Sequence, residues 1–250
     1  GGVIKKIKSV VGTHPYPSQT NIEAAEKIVK MLSGVGEEDL VITLISGGGS
    51  SLFCLPNDRD CENLINITHD LTSKGADILE LNTVRKHLSR VQGGGLAKLC
   101  FPASVVSLIF SDVLGNDLEF IASGPTVADQ TSVSDAKNVL EKFGLAEKYK
   151  TLEFTETPKE EKYFKHVYNT LLCTNMDALM AMKEKAVELG FETLILDDAL
   201  SGEAKEVGKQ LATKDARQNT CLLFGGESTV KVNANSGTGG RNQEVALAAL

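Results

Sequence analysis

Residues suited to chemistry gather in a few short stretches of this chain. Ser46-Gly47-Gly48-Gly49-Ser50-Ser51 follows an apolar run. Glycines let the backbone approach a ligand, their N–H groups can form an anion nest, and Ser50 and Ser51 add hydroxyls. Arg85, Lys86 and His87 stand together, next to Ser89 and Arg90, and lead into Gly93-Gly94-Gly95. Cations beside a glycine turn suit an anionic substrate; the competing reading is a solvated basic helix face. Ser111 and Asp112 end a second apolar run, where an aspartate is a candidate base or Mg2+ ligand, or else a turn residue binding its own backbone. Two later apolar runs end in Cys173-Thr174-Asn175 and Gly225-Gly226-Glu227, which adds Asn175 and Glu227. Arg241 opens a helix behind a polar glycine-rich loop, 233–240, with Asn242 and Glu244 beside it. A cation there opposes the helix dipole unless an anion sits between. Glycine nests, cations, an acid at a strand end and an arginine form a parts list for phosphoryl transfer.

The elements that must position these residues read as alternating strands and helices. Thr20–Glu23 is a capping box for a helix with Ile22, Ala25, Ile28, Val29 and Leu32 on one face. Val41–Ile45 and Ser104–Phe110 read as buried strands. Helices are expected over 60–74 and 77–92, and from Ser132 to Gly144. Lys148–Lys165 is rich in Lys, Glu and Thr without a clean period and reads as linker and surface. Strand and helix then alternate from Val167 to Phe224, in an order that argues for a parallel sheet. A short strand is expected over Thr229–Val232. Ligands of such sheets bind at the carboxyl ends of the strands, where Ser46–Ser51, Ser111-Asp112, Cys173–Asn175 and Gly225–Glu227 fall.

Composition bounds the function. The 250 residues suit one large or two small domains at roughly 150 residues each. Apolar residues at 42% and charged residues at 24% are ordinary globular chemistry. A net charge of −7 with no Trp argues against nucleic acid as partner. The uncharged stretch Leu40–Asn57 contains three Gly, three Ser, a Pro and an Asn, so it reads as strand and loop and no membrane is expected. The five Cys form no CxxC pair and suit a reduced intracellular protein with half-buried thiols; the four His lack the spacing of zinc ligands. The chain has neither GxxxxGK[ST] nor GxGxxG, so it is not a P-loop protein and a dinucleotide site is disfavoured.

In order along the chain, ISGGGSSL, LNTVRKHLSRVQGGGLA, SDVLGNDLEFIASGPTVAD, GEAKEV and GGESTVKVNANSGTGGRNQE resemble the glycerate kinases of the MOFRL type, over essentially the whole chain. The resemblance implies ATP-dependent phosphorylation of D-glycerate to 2-phosphoglycerate or 3-phosphoglycerate, with Mg2+, in a cleft between two α/β domains. Gly47, Gly48, Gly49, Ser50 and Ser51 match the family's substrate loop. Lys86, with Arg85 and His87, matches its basic helix motif. Ser111 and Asp112 match its Ser-Asp-Val motif, Ser123-Gly124-Pro125-Thr126 its Ser-Gly-Pro-Thr turn, and Arg241 the arginine it is thought to use in catalysis. Gln92 stands where the family usually has Lys, Asn116 replaces a common Asp, and His14-Pro15-Tyr16-Pro17 replaces His-Pro-x-Pro-Asp. The family's N-terminal Gly-Lys-Ala motif is not found.

The expected fold is α/β: a Rossmann-like three-layer sandwich with a parallel or mixed sheet, plus part of a second α/β domain. Residues 1–165 are expected to form the larger domain without its start, and 166–250 the second, truncated at its C-terminus. Arg241, Asp112 and Lys86 are the expected catalytic residues, with Asp112 also the Mg2+ ligand. Gly47, Gly48, Gly49, Ser50, Ser51, Arg85, His87, Ser89, Ser111, Asn175, Glu227 and Asn242 are expected to bind substrate and phosphate. The expected partners are D-glycerate and ATP, the chain a monomer or homodimer, in the cytoplasm or in the mitochondrion of a eukaryote. The alternatives are a hydroxypyruvate reductase and a non-catalytic metabolite-binding fragment.

Overall fold

Helix α1 (Gln19–Leu32) starts one residue before the expected capping box. Its N-cap is Ser18, and Asn21 completes the box. Asn21 is fully buried and also donates to the carbonyls of Thr13 and Ser51, so one side chain fixes the helix entry and the serine loop together. The computed structural model describes residues 7–111, 113–214, 217–230 and 237–250. Among these no helix is long and apolar enough to cross a membrane.

The chain is α/β and divides into two units. The first runs to residue 172 apart from 114–116; the second takes 114–116 and 173–250. In the first, β1 (Leu40–Ile45) leads through α2 (Gly49–Leu52) and α3 (Cys61–Ser73) to α4 (Ile78–His87). The helix α5 (Gly95–Cys100) precedes β2 (Ser104–Phe110), followed by α6 (Val133–Lys142) and β3 (Val167–Cys173). The sheet order is β1-β2-β3, with β1 and β2 parallel. Leu64, Ile67 and Leu71 of α3, Val84 of α4 and Ala136 and Leu140 of α6 form one core cluster. Leu32 of α1, Leu96 and Cys100 of α5 and Val105 of β2 form another.

Four expectations change here. The strand β1 is not buried on both faces: Leu40, Ile42 and Leu44 are exposed, because among the described residues only its other face is packed. Helix α4 ends at His87, not near residue 92. Its last carbonyls are taken from outside: Asn57 donates its side-chain amide to His87 O and its N–H to Leu88 O, and Thr155 N–H also reaches His87 O. The stretch 148–165 is no linker. Tyr149 is buried in the core, Thr157 is buried against Asp129, and Lys159 donates to the carbonyls of Asp129 and Thr131. Backbone and side-chain hydrogen bonds hold it where an apolar period is missing. Finally, β3 lies beside β2 rather than in a sheet with the later strands, fastened by Asn169 to Thr126 at 2.6 and 3.1 Å.

In the second unit, α7 (Asn175–Glu188), β4 (Glu192–Glu203), α8 (Ala204–Ala212), β5 (Thr220–Thr229) and α9 (Arg241–Ala248) follow one another, with β4 and β5 parallel. The pair Gly225-Gly226 does not turn the chain; β5 runs straight through it. A Cβ on Gly226 would sit 2.1 Å from Leu200 O, so glycine lets the two strands close where their register shifts. Residues 231 and 232 of the expected short strand lie outside the described residues, as does the loop 233–236.

All five cysteines are free. Cys54 and Cys100 are buried rather than half-buried, and burial pushes their thiols up to about 12 and about 11.

Candidate active site

The glycine-serine loop of the first unit is built by close contact. Gly48 holds φ 76° as N-cap of α2, a conformation that favours glycine. Gly49 packs so closely on the turn 121–124 that a Cβ there would lie 2.5 Å from Ala122 Cβ. That turn has three successive left-handed residues, Ala122, Ser123 and Gly124, at φ 52°, 59° and 59°. Two of them are not glycine, and such backbone persists only where surroundings over-determine it. The determinants are visible. Buried Ser123 donates to Asn82 Oδ1 of α4 at 3.0 Å, and Ser50 Oγ bonds Ser123 Oγ at 2.9 Å. Gln92 donates its amide to Ser50 O at 3.0 Å. The residue that departs from the family's usual lysine thus holds the loop.

Gly49→Ala is expected to destabilise the protein by about 1–3 kcal/mol, the usual overpacking loss, although alanine is the better helix former by roughly 1 kcal/mol. Urea unfolding checks it, and a more stable variant would contradict the contact.

The basic cluster on α4 is no solvated face. Lys86 and His87 are buried. Lys86 Nζ lies 3.2 Å from Glu119 and 3.3 Å from Asp129, whose side chain is fully buried. Thr131 and Thr157 also donate to Asp129. Burial alone would raise the Asp129 carboxyl, but the Lys86 charge and the Thr131 hydrogen bonds hold it below its ordinary 3.8. His87 Nδ1 faces Thr83 O at 2.8 Å; its buried Nε2 has no hydrogen-bond partner among the described residues and lies 4.0 Å from Asp129 and 3.7 Å from Glu156. A carboxyl held low when folded stabilises the fold fully above its unfolded pKa, and that contribution drains away as pH falls through the folded value. Stability is therefore expected to drop below about pH 4, and Asp129→Asn to flatten that part of the acid-unfolding curve.

Arg85 and Ser89 project elsewhere. Arg85 lines a small cavity with Ser50 and Ser51. Ser89 is buried, accepts from Val91 N–H at 3.3 Å and borders a different hollow with Arg90 and Thr157. Ser111 closes β2, its Oγ 3.3 Å from both N and O of Val113. Asp112 lies outside the described residues.

The second unit gathers the remaining residues around β5. Arg241, the first residue of α9, pairs through Nη2 with Glu227 Oε1 and donates Nη1 to Ser228 O at 3.3 Å. The anion that offsets the helix dipole is thus the chain's own carboxylate. Asn242 is exposed beside it. Asn175 opens α7, donates to Asp198 O at 2.6 Å and packs on Gly225, where a Cβ would come within 2.4 Å of its amide.

Among the described residues no group of three or more His, Cys, Asp or Glu converges as metal ligands. Glu119 and Asp129 do converge, but on the Lys86 ammonium. The described residues therefore do not fit a protein cage for Mg2+. Sequence reasoning missed Asn82, Glu119 and Asp129, while Gln92 and Ser123 were noted only through the resemblance and without a role; all five sit inside the resembling motifs, and a buried polar residue carries no periodic signal.

Two family profiles match the chain: the domain of unknown function DUF4147 over residues 2–152 and the MOFRL family over residues 220–250. A glycerate 2-kinase of Pyrococcus horikoshii is 40% identical over 270 residues, covering 100% of this chain and 61% of that protein. A protein of Agrobacterium vitis, named only provisionally as a hydroxypyruvate reductase, is 40% identical over 97% of this chain and 58% of its own length. The solved glycerate kinase of Thermotoga maritima superposes with a TM-score of 0.81 at 38% identity, over 100% of this chain and 62% of that one. The chain thus spans about three fifths of the length of these relatives.

Proposed function

Since this chain belongs to the MOFRL-type glycerate kinase family, we propose that the protein transfers the γ-phosphoryl group of ATP to a hydroxyl of D-glycerate. One observation carries the reading: similarity to a glycerate 2-kinase, 40% identical, runs through 100% of the chain. The glycine-serine loop, braced by Ser123 and Gln92, offers backbone and hydroxyl groups to the acceptor. Lys86 is a positioning residue: its ammonium is committed to Asp129 and Glu119, so it fixes α4 against the turn 117–129. Arg241 supplies a rigid guanidinium to the transferring phosphoryl group, and Glu227 orients it. Asp112, by its place after β2, is the candidate base for the acceptor proton. Magnesium would enter with ATP and would neutralise phosphate charge, with no ligand group for it among the described residues.

The test is formation of ADP by the intact protein, dependent on D-glycerate, set beside oxidation of NADH or NADPH with hydroxypyruvate. Glycerate-dependent ADP release supports the kinase. Nicotinamide turnover, or glycerate binding without turnover in either assay, would replace it with the reductase or with a binding protein.

A further inference from the structure

Arg85 is the one cation of α4 whose charge the described residues leave unmatched. Its guanidinium makes no hydrogen bond and no ion pair among them. Its side chain is half-buried, and that desolvation pushes its pKa below the ordinary value; the one ionisable group that opposes this shift is the thiol of Cys54. An uncompensated guanidinium in such a place is unfavourable for the empty fold. It keeps access to solvent through a cavity of about 190 Å3 lined also by Tyr16, Ser50, Ser51 and Thr68.

The hydroxyls in that cavity have a shared property. Ser51 gives its proton to Pro15 O at 2.5 Å, and Thr68 gives its own to Leu64 O at 2.7 Å. Ser123 donates to Asn82, so in the Ser50–Ser123 bond the proton comes from Ser50. All three oxygens are left with lone pairs only. The cavity therefore pairs a forked cation with acceptors. A phosphate ion would satisfy the cation but offer little to the acceptors. A carboxylate carrying hydroxyls satisfies both: the carboxylate takes the guanidinium fork and its O–H groups donate to the serine and threonine oxygens. The volume also selects. It lies below the roughly 300–1,000 Å3 that drug-sized ligands occupy, so it admits a small acid and not a nucleotide.

We infer that the Arg85 cavity is the recognition site for the carboxylate and hydroxyls of a small hydroxy acid, with Arg85 setting specificity for the charged end. This rests on the kinase reading for the identity of the acid, D-glycerate, but not for the site itself. The experiment is calorimetric titration of the intact protein and of Arg85→Met and Arg85→Lys with D-glycerate, its neutral amide, propionate, inorganic phosphate and ATP, with melting temperatures measured without ligand. The expected result is a loss of D-glycerate affinity of at least about 100-fold in Arg85→Met, the order seen when one partner of a buried charge pair is removed. Arg85→Lys should fall between, ATP affinity should be unchanged, and Arg85→Met should melt no lower than the parent. The amide and propionate should bind the parent weakly, the first lacking charge and the second lacking hydroxyls. Unchanged D-glycerate binding in Arg85→Met would overturn the site. So would a lower melting temperature with parallel loss of ATP, which marks a merely structural arginine. Phosphate or propionate binding as tightly as D-glycerate would overturn the hydroxy-acid assignment. Arg85-dependent binding without phosphorylation keeps the site and removes the kinase reading. Phosphorylation with an unchanged KM for glycerate in Arg85→Met does the reverse.

Discussion

Replacing Lys86 with methionine is expected to destabilise the protein by about 3–5 kcal/mol, the usual consequence of stripping one partner from a buried ion pair. The side chain that remains, Asp129, is fully buried, and its charge is held in place chiefly by the Lys86 ammonium 3.3 Å away. Thr131 and Thr157 still donate to it, and Lys159 stands 3.9 Å off, which keeps the loss within that range. The double variant Lys86→Met/Asp129→Asn should recover a substantial part, because it removes both charges. Urea unfolding of the two singles and the double closes the cycle. A single-variant loss under about 1 kcal/mol, the size typical of a surface pair, would show that the pair is solvated.

Arg241→Ala is expected to behave in the opposite way. Arg241 and Glu227 are both about half-exposed, so their pairing contributes at most about 1 kcal/mol to stability. Turnover is expected to fall at least about 100-fold, the scale on which removing one donor to transition-state charge acts. The check is kcat for D-glycerate phosphorylation beside a melting curve. Near-normal turnover in a folded variant would remove Arg241 from the chemistry.

Much of the fold was legible. Helix α6 follows from Ser132 and its capping box with Asp135, and α3 from Asp60 with Leu64, Ile67 and Leu71 turned inward. The alternation from Val167 onward gave the elements in the right order, but not the partner of β3. Order along the chain says nothing of which neighbour a strand bonds, and the fastening of Asn169 to Thr126 spans 43 residues. The stretch after Lys148 looked like linker because its anchors, Thr157 and Lys159, are polar.

The candidate site was legible as motifs and not as roles. Arg85, Lys86 and His87 are adjacent letters with three fates. The first lines a cavity, the second is locked in a buried ion pair, and the third is sealed against Thr83 O. Helical rotation of about 100° per residue separates them, and only the packing around α4 decides which side meets carboxylates. The glycine loop, by contrast, was readable because close approach demands glycine wherever it occurs, as Gly49 against Ala122 does here.

The most direct test of the whole account is phosphorus NMR of the products formed by the intact protein from ATP and D-glycerate. ADP and a phosphorylated glycerate are expected in equal amounts, both absent when D-glycerate is omitted. ATP left intact beside bound glycerate, or ADP appearing with inorganic phosphate and no phosphoglycerate, would contradict it.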